Sequence, residues 1–256
     1  MAEGQDRAGL MGRFSRLEFG DSKPSGTARA DQLLSDADHF LQEARRYWLA
    51  GDFEVALRNF CRALEQDRTR IEGWSGQVLM LIELGEYKEA DLWAAKALEL
   101  FPEHPDLLGL RAIALARDAR PRHAIQYSDK AVAVERPTAW AWLARAEIFK
   151  QKADAIVLGC ISKAIAAAGN DLTIVKLQAG RILRERRAYP EAISYLTDVV
   201  SAIPTAGLAW FELGCCQQAI GLPQAKASLE QALRINPQFV PAKRAINRLE
   251  KGRLFF

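Results

Sequence analysis

Alanine recurs along this chain at a fixed interval of 34 residues, at Ala56, Ala90 and Ala124, and again seven residues behind each, at Ala63, Ala97 and Ala131. The turn ahead of the alanines repeats in step, as Gly51-Asp52-Phe53 and then Gly85-Glu86-Tyr87. A helix pair recurring at this interval cannot bury its apolar side alone, so its copies must stack into a solenoid. The 256 residues suffice for one such stack, and the expected fold class is all-α.

Breakers fall where helix–helix turns are needed: Gly51-Asp52, Gly85-Glu86, Arg120-Pro121, Tyr189-Pro190 and Gly221-Leu222-Pro223. Proline early in a helix costs little, because that N–H has no intrahelical partner. Between units, Pro102 with Pro105, Pro137, Pro204, and Pro237 with Pro241 end one helix and start the next. The predicted units are 37–70, 71–104, 105–137, 138–172, 173–205 and 206–238, within a solenoid over 35–238. Residues 239–256 hold a last helix and tail, and 1–34 a flexible arm. The fourth unit departs most, with Gln151-Lys152-Ala153-Asp154 at its turn and its Ala164 only 33 residues after Ala131. The sixth has one residue fewer between Trp210 and Ala225 than the second has between Trp74 and Ala90.

Inside the arm, Leu10, Phe14 and Leu17 share one helical face, followed by Phe19. One or two turns of that kind are stable only when docked. The arm is expected to pack loosely on the nearest helix, or to serve as a short motif for a groove on this chain or a partner.

A net charge of +3 is too small to argue for nucleic acid. No apolar run reaches the roughly 18 residues of a membrane span. The start, Met1-Ala2-Glu3-Gly4-Gln5-Asp6, lacks the pattern of a secretion signal, so a cytoplasmic protein is expected. Cys61, Cys160, Cys215 and Cys216 read as buried free thiols in close helix packing. A Cys215–Cys216 bridge would strain a helix, because adjacent side chains point apart. No metal-spaced Cys/His cluster occurs, and no cofactor is expected. His39, His104 and His123 lie far apart in sequence, at positions read as turns or helix starts. With no G-x-S-x-G, P-loop or dinucleotide loop, the chain is not expected to be an enzyme.

These residues resemble the tetratricopeptide repeat family, whose unit is a 34-residue helical hairpin. The second unit matches best, through Trp74, Gly85, Tyr87, Ala90, Ala97 and Pro102. The sixth offers Trp210, Leu213-Gly214, Ala225, Ala232 and Pro237; the fifth Gly180, Tyr189, Ala192 and Pro204; the first Ala44, Tyr47, Gly51, Phe53, Ala56 and Ala63. The third keeps Ala112, Ala124 and Ala131 but has Pro121 at the turn aromatic. The resemblance spans about residues 37–238 and implies a right-handed superhelical α-solenoid of about six hairpins, closed by a C-terminal capping helix. It also implies a protein-interaction scaffold or adaptor, binding a peptide or extended segment in a concave groove.

The first helix of each hairpin lines that groove in the family. Carried onto this chain, the face holds Arg45, Trp48, Leu79, Ile82, Ile113, Arg117, Arg145, Phe149, Leu177, Arg181, Arg184 and Phe211, with Leu41 and Cys215 beside them. Arginine forks suit carboxylates, and the interleaved apolar side chains suit apolar anchors. An acidic and apolar segment of another protein is therefore the expected ligand. The opposing reading pairs these arginines with neighbouring glutamates, such as Arg145 with Glu147 or Glu185 across units. The carboxylate clamp of some family members is not expected, because Asp106 stands at one of its places and would repel a carboxylate. Self-association is the alternative role, through exposed solenoid ends, the arm, or the Leu254-Phe255-Phe256 tail. An RNA-binding repeat needs a recurring polar code on one face, and these positions vary among Leu, Ser, Gly, Ala and Phe. The basic side chains of the last helix, Lys243, Arg244, Arg248, Lys251 and Arg253, read as a solvated face.

Overall fold

Five of six hairpin turns place a residue of positive φ at the same point of the 34-residue period: Gly51 (φ 84), Gly85 (82), Ala119 (57), Arg187 (63) and Gly221 (74). One residue later, a backbone N–H donates back to the preceding helix, from Asp52 to Tyr47, Glu86 to Leu81, Arg120 to Leu115, Ala188 to Leu183 and Leu222 to Gln217, each at 2.9–3.0 Å. This closure satisfies helix carbonyls that would otherwise lack partners, and it needs a left-handed residue. Glycine supplies that conformation freely at three turns; Ala119 and Arg187 adopt it against their preference. The fourth turn breaks the pattern, with Ala153 at φ −54.

The computed structural model describes the backbone of residues 27–253 and the side chains of 36–250. Its helices are α1 (Thr27–Ala50), α2 (Phe53–Gln66), α3 (Ile71–Glu83), α4 (Tyr87–Leu100), α5 (Pro105–Arg117), α6 (Pro121–Ala133), α7 (Ala139–Ile148), α8 (Asp154–Ala166), α9 (Leu172–Glu185), α10 (Tyr189–Ala202), α11 (Gly207–Ala219), α12 (Ala225–Ile235) and α13 (Val240–Arg253), with a 3₁₀ turn at Gly169–Asp171. Among the described residues there is no strand. The helices form six hairpins and a last single helix, an all-α solenoid. The first helix begins at Thr27, so residues 27–34 are helical and do not belong to the expected flexible arm. Leu10, Phe14, Leu17 and Phe19, and the Leu254-Phe255-Phe256 tail, lie outside the described residues. His39 lies within α1 and not at a turn, whereas His104 stands just ahead of α5, with no side-chain capping bond, and His123 sits in the first turn of α6.

The recurring alanines are the contact points of the hairpins. Ala56, Ala63, Ala90, Ala97, Ala124, Ala131 and Ala192 have no exposed surface, and Val199 fills the matching place in α10. In the fourth and sixth hairpins the buried pair falls one residue early, at Val157 with Ala164 and at Ala225 with Ala232. The shortened spacings in the sequence mark these places. Small side chains also let the first helix of a hairpin approach the second. A Cβ on Gly180 would meet Leu196 at 2.7 Å, and one on Gly214 would meet Leu229 at 2.7 Å. Trp74 is buried beside Trp93 and donates from its indole N–H to the Arg68 carbonyl at 2.9 Å. Four units on, Trp210 repeats the bond to Pro204 at 2.9 Å.

The odd-numbered helices pack on one another in sequence, α1 on α3 through α11 on α13, and form the inner row. That row returns on itself, because α1 also packs on α11. A Cβ on Gly207 would lie 3.0 Å from the Ala50 carbonyl oxygen, so any larger residue would force this seam apart by a few tenths of an ångström. Phe239, 4% exposed, closes the seam: its ring stands edge-on to Phe53 and Phe211 and lies against Gly51. The inner face, where the resemblance implied a concave groove, carries local recesses between the odd-numbered helices.

Candidate functional site

Among the described residues, the inner face opens into two recesses, with an open hollow at the last helix. The mouth recess, about 260 Å³, is walled by the N-terminal ends of α3, α5, α7 and α9 together with α1. Its lining includes Arg45, Trp48, Glu72, Ser75, Leu79, His104, Asp106, Thr138, Trp140 and Asp171. Trp48 and Trp140 meet with ring centroids 6.2 Å apart. Thr138 caps α7 by accepting from the Ala141 N–H at 3.2 Å, while its hydroxyl donates to Asp106. Burial pushes the Asp106 carboxyl above its usual range, against the pull of Thr138 and His104, and the charges of Asp171 and Glu72 push the same way. Arg45 lies 3.6 Å from Asp171.

The inner recess, about 180 Å³, is lined by Leu79, Ile82, Glu83, Ile113, Arg117, Glu147, Gln178, Arg181, Glu185 and neighbours. Its charges are paired across the stack. Arg181 grips Glu83 of α3 with two nitrogens, one at 2.8 Å, and reaches Glu212 of α11 at 3.2 Å. Arg184 bonds the same Glu212, which is nearly inaccessible. Arg117 bonds Glu147 and lies 3.4 Å from Glu185, and Lys150 joins both acids. Burial raises Glu185, but the Lys150 hydrogen bond and the charges of Lys150 and Arg117 outweigh it and hold the carboxyl below its usual range.

The expected groove residues thus separate into groups. Arg45, Trp48 and Leu79 line the mouth recess; Leu79, Ile82, Ile113, Arg117 and Arg181 line the inner one. Leu177 is fully buried and cannot touch a ligand. Arg145 turns away toward α6, bonding Asp129 at 2.6 Å and lying 5.0 Å from the Phe149 ring, so neither residue lines a recess. The arginines of this middle stretch are paired from within: Arg117, Arg181 and Arg184 each meet an acid of another helix. Phe211 lines the open hollow with Pro241, Arg244, Asn247 and Arg248. Sequence reasoning did not place Trp140, Thr138, His104, Ser75 or Asp171 in a site. The one available signal was that 72, 106 and 138 each stand at a helix start, where first residues of parallel helices share one mouth.

No single helix among the described residues is long and apolar enough to cross a membrane. Cys61, Cys160, Cys215 and Cys216 are free thiols, and burial pushes Cys61, Cys215 and Cys216 up to about 12. Among the described residues no group of His, Cys, Asp and Glu is arranged to hold a metal ion.

No protein-family model matches the sequence. Solved structures do resemble the fold. A tetratricopeptide repeat protein from Parabacteroides merdae is 15% identical with a TM-score of 0.54, over 86% of this chain and 98% of that one. A chain of the APC/C hetero-tetramer Cut9–Hcn1 is 15% identical with a TM-score of 0.55, over 86% of this chain and 45% of that one. The human IFIT1 dimer with m7Gppp-AAAA gives 18% and 0.55, over 71% of this chain and 45% of that one. The chain therefore spans less than half the length of the last two. The repeating hairpins, their positive-φ turns and these likenesses together establish that the chain has the tetratricopeptide-repeat fold.

Proposed function

We propose that the chain is a non-catalytic scaffold that binds a segment of another protein where its inner helix row opens to solvent. The observation that carries this reading is the convergence of aromatic, apolar and polar side chains from five helices on the mouth recess, a composition typical of interface centres. The likeness to an RNA-bound IFIT1 chain is one of fold and brings no RNA site with it.

An acidic and apolar segment finds its best place at the open hollow. Arg244 and Arg248 are exposed there and have no ion-pair partner among the described residues, and Phe211 offers an apolar surface beside them. Arg117, Arg181 and Arg184 are engaged elsewhere and cannot serve. Affinity capture with the full chain, followed by reciprocal capture, is the test. Wild type should return a reproducible partner, and Arg244→Glu with Arg248→Glu should lose it. A partner held equally by that variant removes the hollow from the reading. A chain that captures nothing reproducible ends the scaffold reading.

A further inference from the structure

The mouth recess holds hydrogen-bonding capacity that the protein itself does not use. Trp48 is 4% exposed and lines the recess, yet its indole N–H has no acceptor among the described residues. Ser75 Oγ and His104 Nδ1, in the same wall, are buried without a partner there. A buried donor left unmatched is costly, so the place suits an incoming acceptor.

The charge points to the rest of the ligand. Glu72, Asp106 and Asp171 face the recess against a single guanidinium, Arg45. The N-terminal ends of α3, α5, α7 and α9, at about half a positive charge each, offset much of the rest, but among the lining residues Arg45 is the one guanidinium or ammonium set against three carboxylates. Because the acids are not arranged around a metal ion, the complement is an organic cation. Trp48 and Trp140 supply aromatic surface of the kind that attracts one. A volume of about 260 Å³ falls below the roughly 300–1,000 Å³ of small-molecule sites and suits one long side chain.

We propose that the mouth recess receives a lysine or arginine side chain of a partner protein's segment, its charged head against Asp106, Asp171 and Glu72 and a carbonyl of its backbone accepting from Trp48. This rests on the scaffold reading and names the chemistry of one anchor on the partner.

The test uses the full chain and three blocked, fluorescein-labelled peptides, identical except for a central Arg, Gln or Glu. Fluorescence anisotropy should show the Arg peptide binding at least about tenfold more tightly than the Gln peptide, with the Glu peptide weaker still. Asp106→Asn with Asp171→Asn, confirmed folded by circular dichroism, should erase the Arg preference. Equal affinity for Arg and Gln, or a preference that survives the double amide variant, overturns the proposal. A partner captured equally by wild type and the double amide variant sinks the recess but leaves the scaffold standing. Arg-peptide binding with no captured partner does the reverse.

Discussion

The mouth recess and the inner recess are cut from the same row of helices, and they differ in what their charges face. In the inner recess every arginine meets an acid from another helix, as Arg181 meets Glu83 of α3 and Glu212 of α11. In the mouth recess acid faces acid, and Trp48, Ser75 and His104 keep polar atoms without partners among the described residues. Charge answered within the chain closes the stack; charge left unanswered is available to something else. Arginines on a binding face are thus poor evidence of a site until their partners are known.

Breaking the inner set should have the largest effect. Arg181→Met leaves Glu83 without its cation in a poorly solvated place, Glu212 keeping Arg184, which costs about 3–5 kcal/mol. Urea unfolding of Arg181→Met should shift its midpoint accordingly, and adding Glu83→Leu should recover most of the loss. A single variant as stable as wild type would show that Arg181 does not close the stack. The same variant separates the regions, because Arg-peptide binding at the mouth should persist in whatever fraction stays folded.

Ala90 lies in neither recess and calibrates the comparison. It has no exposed surface, so Ala90→Leu overpacks the second hairpin and costs about 1–3 kcal/mol. A thermal melt of Ala90→Leu matching wild type would break the assigned register, and with it the placement of both recesses.

The hairpins were legible in the sequence because their cause is local. An alanine must stand where two helices touch, and a turn must follow at a fixed distance. Even the irregular hairpins announced themselves, since the missing residue ahead of Val157 and of Ala225 shortens a spacing that can be counted. Ala119 and Arg187 were less visible: the turn imposes positive φ on residues whose own preference says otherwise. The closure of the stack was not legible. Whether α1 reaches α11 depends on small rotations summed over five junctions, and no local pattern records that sum. The site suffered accordingly. Helix-face positions offered Trp48, Leu79 and Ile113, which line the recesses, but Arg181 and Glu83 are 98 residues apart and no local pattern announces their pairing.

The subtlest expected difference is in pH dependence, where the two recesses should slope in opposite directions. Asp106 has a raised pKa in the folded protein, so its contribution to stability is fully present below the unfolded-state pKa and is lost as pH rises through the folded value. Glu185 has a lowered pKa, so its contribution is present above the unfolded-state pKa and is lost as pH falls through the folded value. At neutral pH, Asp106→Asn should therefore be neutral or slightly stabilising, while Glu185→Gln should be destabilising. In urea titrations from neutral pH down through the carboxylate range, the Asn variant should lose its advantage over wild type. The Gln variant should lose its deficit over the same range. Parallel curves for all three proteins would mean that both carboxyls sit in equivalent surroundings, and the contrast between an answered and an unanswered recess would fall with them.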